Sequence, residues 1–354
     1  MNLFAILFNI HIKIDKFKKK TEETEPSAIN LLFIEEPEAH THPQMQYIFI
    51  KNIKEMLKIE TDSVINLQTL LTTHSSHIAS QSEFKDIKYF LKTSNSIESK
   101  NLSELENQFG TTAEEKRNFQ FLKQYLTLNR SELFFTDKAI FIEGDTERIL
   151  LPAMMKKLDN TNQSTPDYMP LLSQHISIVE VGAYAHVFEK FLDFLQIKTL
   201  IITDFDSINI NDSRKAIRVS AGNDSSNASI KHFLSGKSFT DLKVLSHQDK
   251  ILKDILLCIA YQTEENSYHA RSFEDAFIHL NKSFISTNKD NFGGLKNRNS
   301  FDATSGKDAY DLANECIDKK SIFATDILYY GGEQFELWET PKYINEGLLW
   351  LSNK

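Results

Sequence analysis

The pattern of hydrophobic and polar positions divides the chain into three regions. In residues 1–95, four consecutive apolar residues at Leu31–Ile34 predict a buried strand, and apolar residues at helical spacing predict a helix from about Gln44 to Ile59. A mostly apolar run at Val64–Thr72 predicts a second strand. Residues 96–135 are polar and charged with apolar residues at helical spacing, which is typical of a helical connector rather than a core.

From residue 136 onward, predicted strands and helices alternate. The strands are Ala139–Ile142, Ile176–Val181 and Thr199–Thr203, and a helical pattern follows each of the first two. This alternation is typical of a parallel sheet with helical crossovers, so we predict an α/β fold and treat residues 136–354 as one domain. Residues 207–240 are polar and rich in Ser and Asn, which predicts a long loop or insertion.

Four carboxylate residues follow two of these strands. Glu143 ends the first strand, Glu147 lies in the first turn of the next helix, and Asp204 and Asp206 follow the third strand. The carboxyl ends of parallel strands meet at one edge of a sheet, and side-chain alternation would point Asp204 and Asp206 the same way. Carboxylates are the ligands that Mg²⁺ and Mn²⁺ prefer, and two such ions can promote phosphodiester hydrolysis. We therefore predict a site for one or two of these ions, the simpler alternative being acids that cap helices.

Composition limits the function classes. The net charge is −9 over 354 residues, so any contact with DNA must come from local basic patches such as Lys16–Lys20, Arg214–Arg218 and Lys282–Arg298. The two cysteines form no CxxC motif, which argues against a zinc site and suits the cytoplasm. The apolar N-terminal run, Met1–Ile14, carries its lysines after it and is shorter than a membrane span. We therefore expect a buried helix, the alternative being a cleaved signal peptide.

The segment Leu31–His40 has the form of a Walker B strand, an apolar run that ends in Glu35 and Glu36. It resembles that of ABC-type ATPases, which implies that Glu35 supports Mg²⁺, that Glu36 polarises the attacking water and that His74 senses the γ-phosphate. The phosphate-binding motif Gly-x4-Gly-Lys-Ser/Thr is not found in the sequence, since Gly236-Lys237-Ser238 has no glycine at the required position. We therefore expect a partial, N-terminally truncated ATPase lobe in residues 1–95, no ATP hydrolysis by this chain alone, and ATP as a cofactor only in an intact ATPase dimer.

The run Glu143-Gly144-Asp145-Thr146-Glu147 followed by Asp204-Phe205-Asp206 resembles a Toprim domain, the metal-binding module of topoisomerases, primases and some nucleases. Later segments at Ile259–Glu264, Arg271–Phe277 and Lys319–Ala324 resemble the overcoming-lysogenization-defect nucleases, ATPase–Toprim proteins to which the nuclease subunit of the Gabija anti-phage system is related. The resemblance implies that Glu274 or Asp275 completes the metal site and that Lys320, or its neighbour Lys319, assists at the scissile phosphate.

The leading hypothesis is therefore a metal-dependent DNA endonuclease whose Toprim domain is regulated by an ATPase lobe. Glu143, Asp204, Asp206 and Lys320 are the expected catalytic residues, DNA is the expected partner, and a homo-oligomer through the ATPase lobes is expected if the N-terminal half is supplied. One alternative is a nuclease-inactive subunit that binds DNA or a partner. A topoisomerase- or primase-like enzyme is a further alternative, although we find no second catalytic domain to carry a nucleophilic tyrosine.

Overall fold

A computed structural model describes residues 29–39, 42–57, 67–93, 95–128, 130–253 and 256–353, together with residues 8, 9 and 12. The chain divides into two compact units, residues 1–135 and 136–354. Most of the apolar N-terminal run and the basic segment Lys16–Lys20 lie outside the described residues. Phe8 and Ile12 are helical but exposed, so the prediction of a buried helix is wrong for these two positions.

The first unit begins with a parallel pair of strands, β1 (Asn30–Glu35) and β2 (Leu67–Thr72). They are joined through helix α1 (Pro43–Leu57), and helix α2 (Ser76–Gln81) follows the second strand. A small core forms where Ile34 meets α1 and α2, since Phe49, Ile50 and Ile78 are buried together with it. Both strands and α1 match the predicted elements, because each is a local hydrophobic pattern.

The second half of this unit differs from the prediction of a purely helical connector. An antiparallel hairpin, β3 (Lys88–Lys92) and β4 (Ile97–Asn101), precedes helices α3 (Leu102–Gln108) and α4 (Ala113–Leu128). Leu102, Leu122 and Leu126 are fully buried, whereas Leu128 is exposed. The apolar face of α4 is therefore buried, and its Phe119 packs edge to face against Phe84.

The second unit is built on a five-stranded sheet whose strands lie in the order β11 (Ile251–Leu252), β12 (Leu257–Ala260), β7 (Lys198–Ile202), β5 (Lys138–Ile142) and β6 (Ile176–Glu180). All neighbours in it are parallel except the edge pair β11–β12. The α/β class with a parallel sheet is thus confirmed. The strands of this unit are β5 (Lys138–Ile142), β6 (Ile176–Glu180), β7 (Lys198–Ile202), β8 (Ser207–Asn209), β9 (Lys215–Ala216), β10 (Asp224–Ser225), β11 (Ile251–Leu252), β12 (Leu257–Ala260), β13 (Glu264–Glu265) and β14 (Tyr268–His269).

Helices surround this sheet and supply most of the core. The interior strand β5 is buried from Ala139 to Ile142, as expected for a strand covered on both faces. The core continues through Phe273, Phe277 and Phe323 to the last helix. The helices are α5 (Asp145–Asn162), α6 (Glu189–Leu195), α7 (Ala228–Phe233), α8 (Phe239–Val244), α9 (Phe273–Asn288), α10 (Ala309–Cys316), α11 (Lys320–Tyr330) and α12 (Lys342–Ser352).

The segment 207–240 is more ordered than the predicted loop. It forms the three-stranded antiparallel sheet β10-β8-β9 and then α7 and the start of α8. Its short strands carry few apolar residues, so their pattern is too brief to be recognised from sequence. Among the described residues, no helix is long and apolar enough to cross a membrane.

Candidate active site

Glu143 lies directly after β5, at the carboxyl edge of the sheet. Its Oε1 accepts hydrogen bonds from the Thr203 hydroxyl, from Asn227 Nδ2 at 2.7 Å and from the Asp204 backbone N–H at 3.4 Å. Asn227 also caps α7, because its Oδ1 accepts from the Ile230 backbone N–H at 3.0 Å. The ordered insertion therefore reaches back and fixes the orientation of Glu143.

Asp204 and Asp206 follow β7, but they do not continue it. The strand ends at Ile202, and Asp206 has a left-handed backbone with φ of 53°. Side-chain alternation therefore does not apply to these residues, and that premise of the sequence argument is wrong. Asp204 Oδ1 accepts from Gln262 Nε2 and from the Phe273 backbone N–H, each at 2.8 Å.

Two cations border the acidic residues. Arg271 Nη2 lies 2.6 Å from Asp206 Oδ1. Lys320 Nζ, at the start of α11, lies 2.9 Å from Glu274 Oε1, whose carboxylate is only 5% exposed. The sequence did not decide whether Lys319 or Lys320 assists at the site. Lys320 is the one that contacts a predicted metal ligand.

Glu274 and Asp275 lie side by side in the first turn of α9 but have different surroundings. Glu274 Oε1 accepts from the Thr146 hydroxyl at 3.1 Å, on the helix that carries Glu147. Asp275 Oδ2 instead accepts from the Arg271 backbone N–H at 2.8 Å. Burial raises the pKa of Asp275 to about 7, with a smaller contribution from Asp308. Glu274 thus lies close to Glu147 and Asp204, and together with Glu143 and Asp206 these residues form what we call the acidic cluster. Asp275 contacts the backbone of Arg271 instead.

The cluster acids repel one another. Burial, and after it the charge of Glu274, raises the pKa of Glu147 to about 8. Burial also raises the pKa of Asp204 well above its usual range, and the charges of Glu147, Glu274, Glu143 and Asp206 add to this. The pKa of Glu143 is raised mainly by burial as well, although hydrogen bonds from Thr203 and Asn227 oppose the rise. When fully ionised, these acids would carry more negative charge than the neighbouring cations neutralise, which is why their pKa values are raised further once burial has acted.

The pKa of Lys320 is raised as well, but in this case the neighbouring acids favour the charged form. Burial alone would lower the pKa of its ammonium group, but Glu274, Asp204 and Glu147 more than offset this and the pKa is raised. The lysine therefore stays positively charged at neutral pH. A fixed positive charge beside a buried carboxylate is suited to bind an anionic oxygen.

The donor chemistry of this cluster fits a hard divalent cation, because every candidate ligand is a carboxylate and the surplus charge is negative. The oxygens are at present held by protein donors such as Asn227, Gln262 and Lys320. In the arrangement described here, no group of three or more His, Cys, Asp or Glu side chains among the described residues is placed to hold an ion. The structure thus brings the predicted acids other than Asp275 into one electrostatic cluster.

The first unit brings two of its predicted residues together. Glu35 ends β1, and Glu36 follows with a positive φ of 39° while its backbone N–H donates to the Thr72 carbonyl at 3.1 Å. Glu36 Oε1 lies 3.4 Å from His74 Nε2, and both side chains are exposed. Glu38 also contacts this turn, since its Oε1 accepts from the Thr73 hydroxyl at 2.8 Å.

The segment Gly236-Lys237-Ser238 is a helix cap and not a phosphate loop. Ser238 caps α8 by a reciprocal pair of hydrogen bonds with Asp241, and Gly236 has a positive φ of 85°. Within the described part of the chain, no strand leads directly into this turn. The structure therefore agrees with the sequence analysis, which rejected this segment as a phosphate-binding loop.

Several basic residues expected to contact DNA are engaged within the protein. Arg218 pairs with Asp308 at 2.7 Å and with Asp311 at 2.8 Å. Lys289 pairs with Asp302, and Lys282 Nζ donates to the Lys307 carbonyl at 3.0 Å. These contacts make Arg218, Lys282 and Lys289 poor candidates for a phosphate-binding patch.

The sequence did not single out Asn227, Gln262 or Arg271, although all three contact predicted ligands. Gln262 and Arg271 lie within segments that resembled the nuclease family, and that resemblance was the available signal. Asn227 lies in segment 207–240, where no motif indicated a functional residue. Each acts across more than fifty residues of sequence, a distance that local patterns do not span.

Comparison with known proteins identifies both parts of the chain. An AAA ATPase domain profile matches residues 1–79. A profile described as the Toprim domain of overcoming lysogenization defect protein-like proteins matches residues 134–206. The chain is therefore an ATPase–Toprim protein. It is similar to proteins of the overcoming-lysogenization-defect (OLD) family.

Two curated relatives are similar over long stretches. Endonuclease GajA of Bacillus cereus (strain HuB5-5) is 33% identical over 377 aligned positions, which cover 100% of this chain and 52% of the relative. Old nuclease of Escherichia phage P2 is 28% identical over 195 positions, which cover 54% of this chain and 30% of the relative. The chain thus spans about half the length of the first relative and less than a third of the second.

Two solved structures are also similar. The C-terminal region of the Burkholderia pseudomallei OLD protein aligns with a TM-score of 0.36 at 18% identity, covering 62% of this chain and 98% of that one. The C-terminal region of the Xanthomonas campestris pv. campestris OLD protein aligns with a TM-score of 0.38 at 20% identity, covering 62% and 94%.

Proposed function

We propose that the second unit is a metal-dependent DNA endonuclease domain that hydrolyses phosphodiester bonds. The observation that supports this most is the cluster of Glu143, Glu147, Asp204 and Glu274, in which burial and, after it, the charge of neighbouring carboxylates raise the pKa of three members. Such surplus negative charge favours binding of a divalent cation. Similarity to OLD-family proteins and the names of both curated relatives support the same activity.

In this proposal Glu143, Glu147, Asp204, Asp206 and Glu274 hold one or two Mg²⁺ or Mn²⁺ ions. A bound ion would supply Lewis-acid stabilisation of the phosphate and a more acidic water. Asp275 is not in this set, because it contacts Arg271 and not the cluster.

The protein's own groups then complete the site. Lys320 keeps its proton at neutral pH and places a positive charge where a phosphate oxygen can accept from it. Arg271 holds Asp206 in its left-handed conformation through the 2.6 Å ion pair. Asn227 and Thr203 orient Glu143.

Asp204→Asn tests the proposal, because Asn keeps an oxygen that accepts from Gln262 and Phe273 but removes the charge. We expect loss of Mg²⁺- or Mn²⁺-dependent nicking of supercoiled plasmid DNA by about 100-fold or more. The matched control is Asp167→Asn, an exposed aspartate with φ of 62°, a conformation that Asn also adopts. Cleavage by Asp204→Asn at the level of the control would refute the assignment.

A nuclease-inactive subunit that binds DNA or a partner is the second candidate. It is favoured by the observation that no group of three candidate ligands is placed to hold an ion within the described residues. Binding of Mn²⁺ and DNA by the purified chain, with no strand cleavage at saturating metal, would support this alternative over the nuclease.

We propose that the first unit belongs to an ATPase lobe in which Glu36 and His74 act together near the γ-phosphate. Their 3.4 Å contact is the supporting observation, and Glu35 remains the proposed Mg²⁺ partner. ATP would then bind only in an intact dimer of ATPase lobes, and a homo-oligomer is the proposed assembly. ATP turnover by this chain alone that is lost in Glu36→Gln would contradict the expectation that the chain does not hydrolyse ATP by itself.

A further inference from the structure

Gln262 is a buried polar residue whose hydrogen-bonding groups converge on Asp204. It is only 1% exposed and follows β12, the strand beside β7. Its Nε2 donates to Asp204 Oδ1 at 2.8 Å and to the Tyr343 hydroxyl at 3.1 Å. Its Oε1 accepts from the Phe205 backbone N–H at 2.6 Å. The amide is therefore fixed at both ends, with one end on the residue after Asp204 and the other on the carboxylate itself.

The surroundings of Gln262 leave its amide no other orientation. A flipped amide would face the Phe205 N–H with a donor and Asp204 Oδ1 with an acceptor, and both contacts would be repulsive. Its own backbone carbonyl accepts from His269 Nε2 at 2.9 Å, which anchors the main chain at this point. A buried amide with this many partners is rigid.

We propose that Gln262, supported by Tyr343, is the positioning residue that presents Asp204 to the metal, an inference that rests on the proposed nuclease function. Gln262 and the Phe273 N–H both bind Oδ1 of Asp204, and the carboxylate thereby keeps Oδ2 available for an ion. Carboxylates that ligate metals are commonly held in this way by neighbouring donors, and loss of such a donor weakens metal affinity by about 10–100-fold.

The placement of Tyr343 explains why the last helix takes part. Tyr343 lies in the first turn of α12 and is 4% exposed. Burial raises the pKa of its hydroxyl well above the usual range, with the charge of Asp204 as the next contribution, and so it stays neutral. A neutral oxygen that accepts the second Nε2 proton keeps Gln262 in place without adding charge to the cluster.

The test is Mn²⁺ binding in the absence of DNA, followed by the electron paramagnetic resonance signal of free Mn²⁺, with plasmid nicking as a second readout. Gln262→Met removes the donor at similar length, and Tyr343→Phe removes only the hydroxyl. Gln248→Met is the matched control, because Gln248 is exposed. Asp204→Asn reports whether binding occurs at this site at all.

We expect Gln262→Met to weaken Mn²⁺ binding by about 10–100-fold and Tyr343→Phe by about three- to tenfold, the loss expected from one hydrogen bond. The metal concentration for half-maximal nicking should rise by the same factors, while most of the rate returns at saturating Mn²⁺. A purely structural role would lower the rate at every metal concentration and leave that midpoint unchanged.

The outcomes separate the two proposals. Wild-type affinity in Gln262→Met, together with lost binding in Asp204→Asn, overturns the role of Gln262 and leaves the nuclease proposal standing. Equal binding by Asp204→Asn and the wild type overturns the metal site itself. Should Gln262→Met not fold, as judged by circular dichroism, Tyr343→Phe decides, and unchanged affinity in that variant overturns the inference.

Discussion

Gly294 lies where a side chain has no room, and replacing it with alanine is expected to displace α11. A Cβ atom at this position would be 2.3 Å from the Phe323 backbone N and 2.6 Å from its Cα. Favourable contacts between carbon atoms begin at about 3.5 Å. Because the obstacle is helix backbone, it cannot rotate away, and α11 would have to move by about 1 Å.

The loss of stability expected for Gly294→Ala follows from the hydrogen bonds that hold the turn at Gly294 against α11. The Gly294 N–H donates to Asp326 Oδ2 at 2.8 Å, and the Gly294 carbonyl accepts from the Asp318 N–H at 2.9 Å. Overpacking a core costs about 1–3 kcal/mol, and strain on one of these hydrogen bonds adds about 1 kcal/mol. We expect about 3 kcal/mol of destabilisation, which lowers the melting temperature of a unit of this size by about 6–12 °C.

Urea unfolding followed by tryptophan fluorescence measures this directly. The chain has two tryptophans, Trp338 and Trp350, and both are buried in the second unit. Gly293→Ala is the matched control, because a Cβ there would meet its nearest neighbour, Ile322 Cγ2, at an ordinary 3.5 Å. The control should lie within about 1 kcal/mol of the wild type.

The same substitution should reduce activity, since α11 begins at Lys320. A shift of about 1 Å at its first turns would lengthen the 2.9 Å contact between Lys320 and Glu274. Equal unfolding midpoints for Gly294→Ala and Gly293→Ala would refute the described packing of α11 against this turn.

Three further predictions follow from the contacts. Lys320→Met should reduce nicking by about 100-fold or more because it removes the cation beside Glu274. An equal loss in Lys319→Met would show that the ion pair with Glu274 does not determine which lysine assists catalysis. His269 has its pKa lowered to about 4, chiefly by burial, from an ordinary value near 6.5. Between these two pKa values the unfolded chain binds more protons than the folded one, so the free energy of unfolding decreases as pH falls from 6.5 to 4. The decrease between pH 7 and 5 should be smaller in His269→Gln by up to about 2 kcal/mol, as measured from urea unfolding midpoints. Lys138 Nζ donates to the carbonyls of residues 351 and 353 at the end of α12, so Lys138→Met should cost about 1–3 kcal/mol, and an unchanged unfolding midpoint would contradict this capping role.

Local patterns were sufficient for the secondary structure that surrounds the site. The runs before Glu35 and Glu143 are continuous apolar segments, and they form β1 and β5 as predicted. The alternation after residue 136 predicted the parallel sheet, which is confirmed. The resemblance to the OLD family agrees with the OLD-like Toprim profile that matches residues 134–206. The end of β7 and the structure of segment 207–240 were harder to predict. The strand stops at Ile202, before the two aspartates, and the strands of segment 207–240 are too short to show an alternation of apolar and polar residues.

The sequence by itself determined which carboxylates stand at strand ends and helix starts, since those positions follow from periodicity within a few residues. Only the tertiary structure decided that Glu274 rather than Asp275 joins the cluster, that Lys320 rather than Lys319 faces it, and that Gln262 holds Asp204. The reason is physical: these choices depend on how a helix is rotated and packed against a strand more than fifty residues away. That rotation is set by burial of the whole core and not by any local pattern.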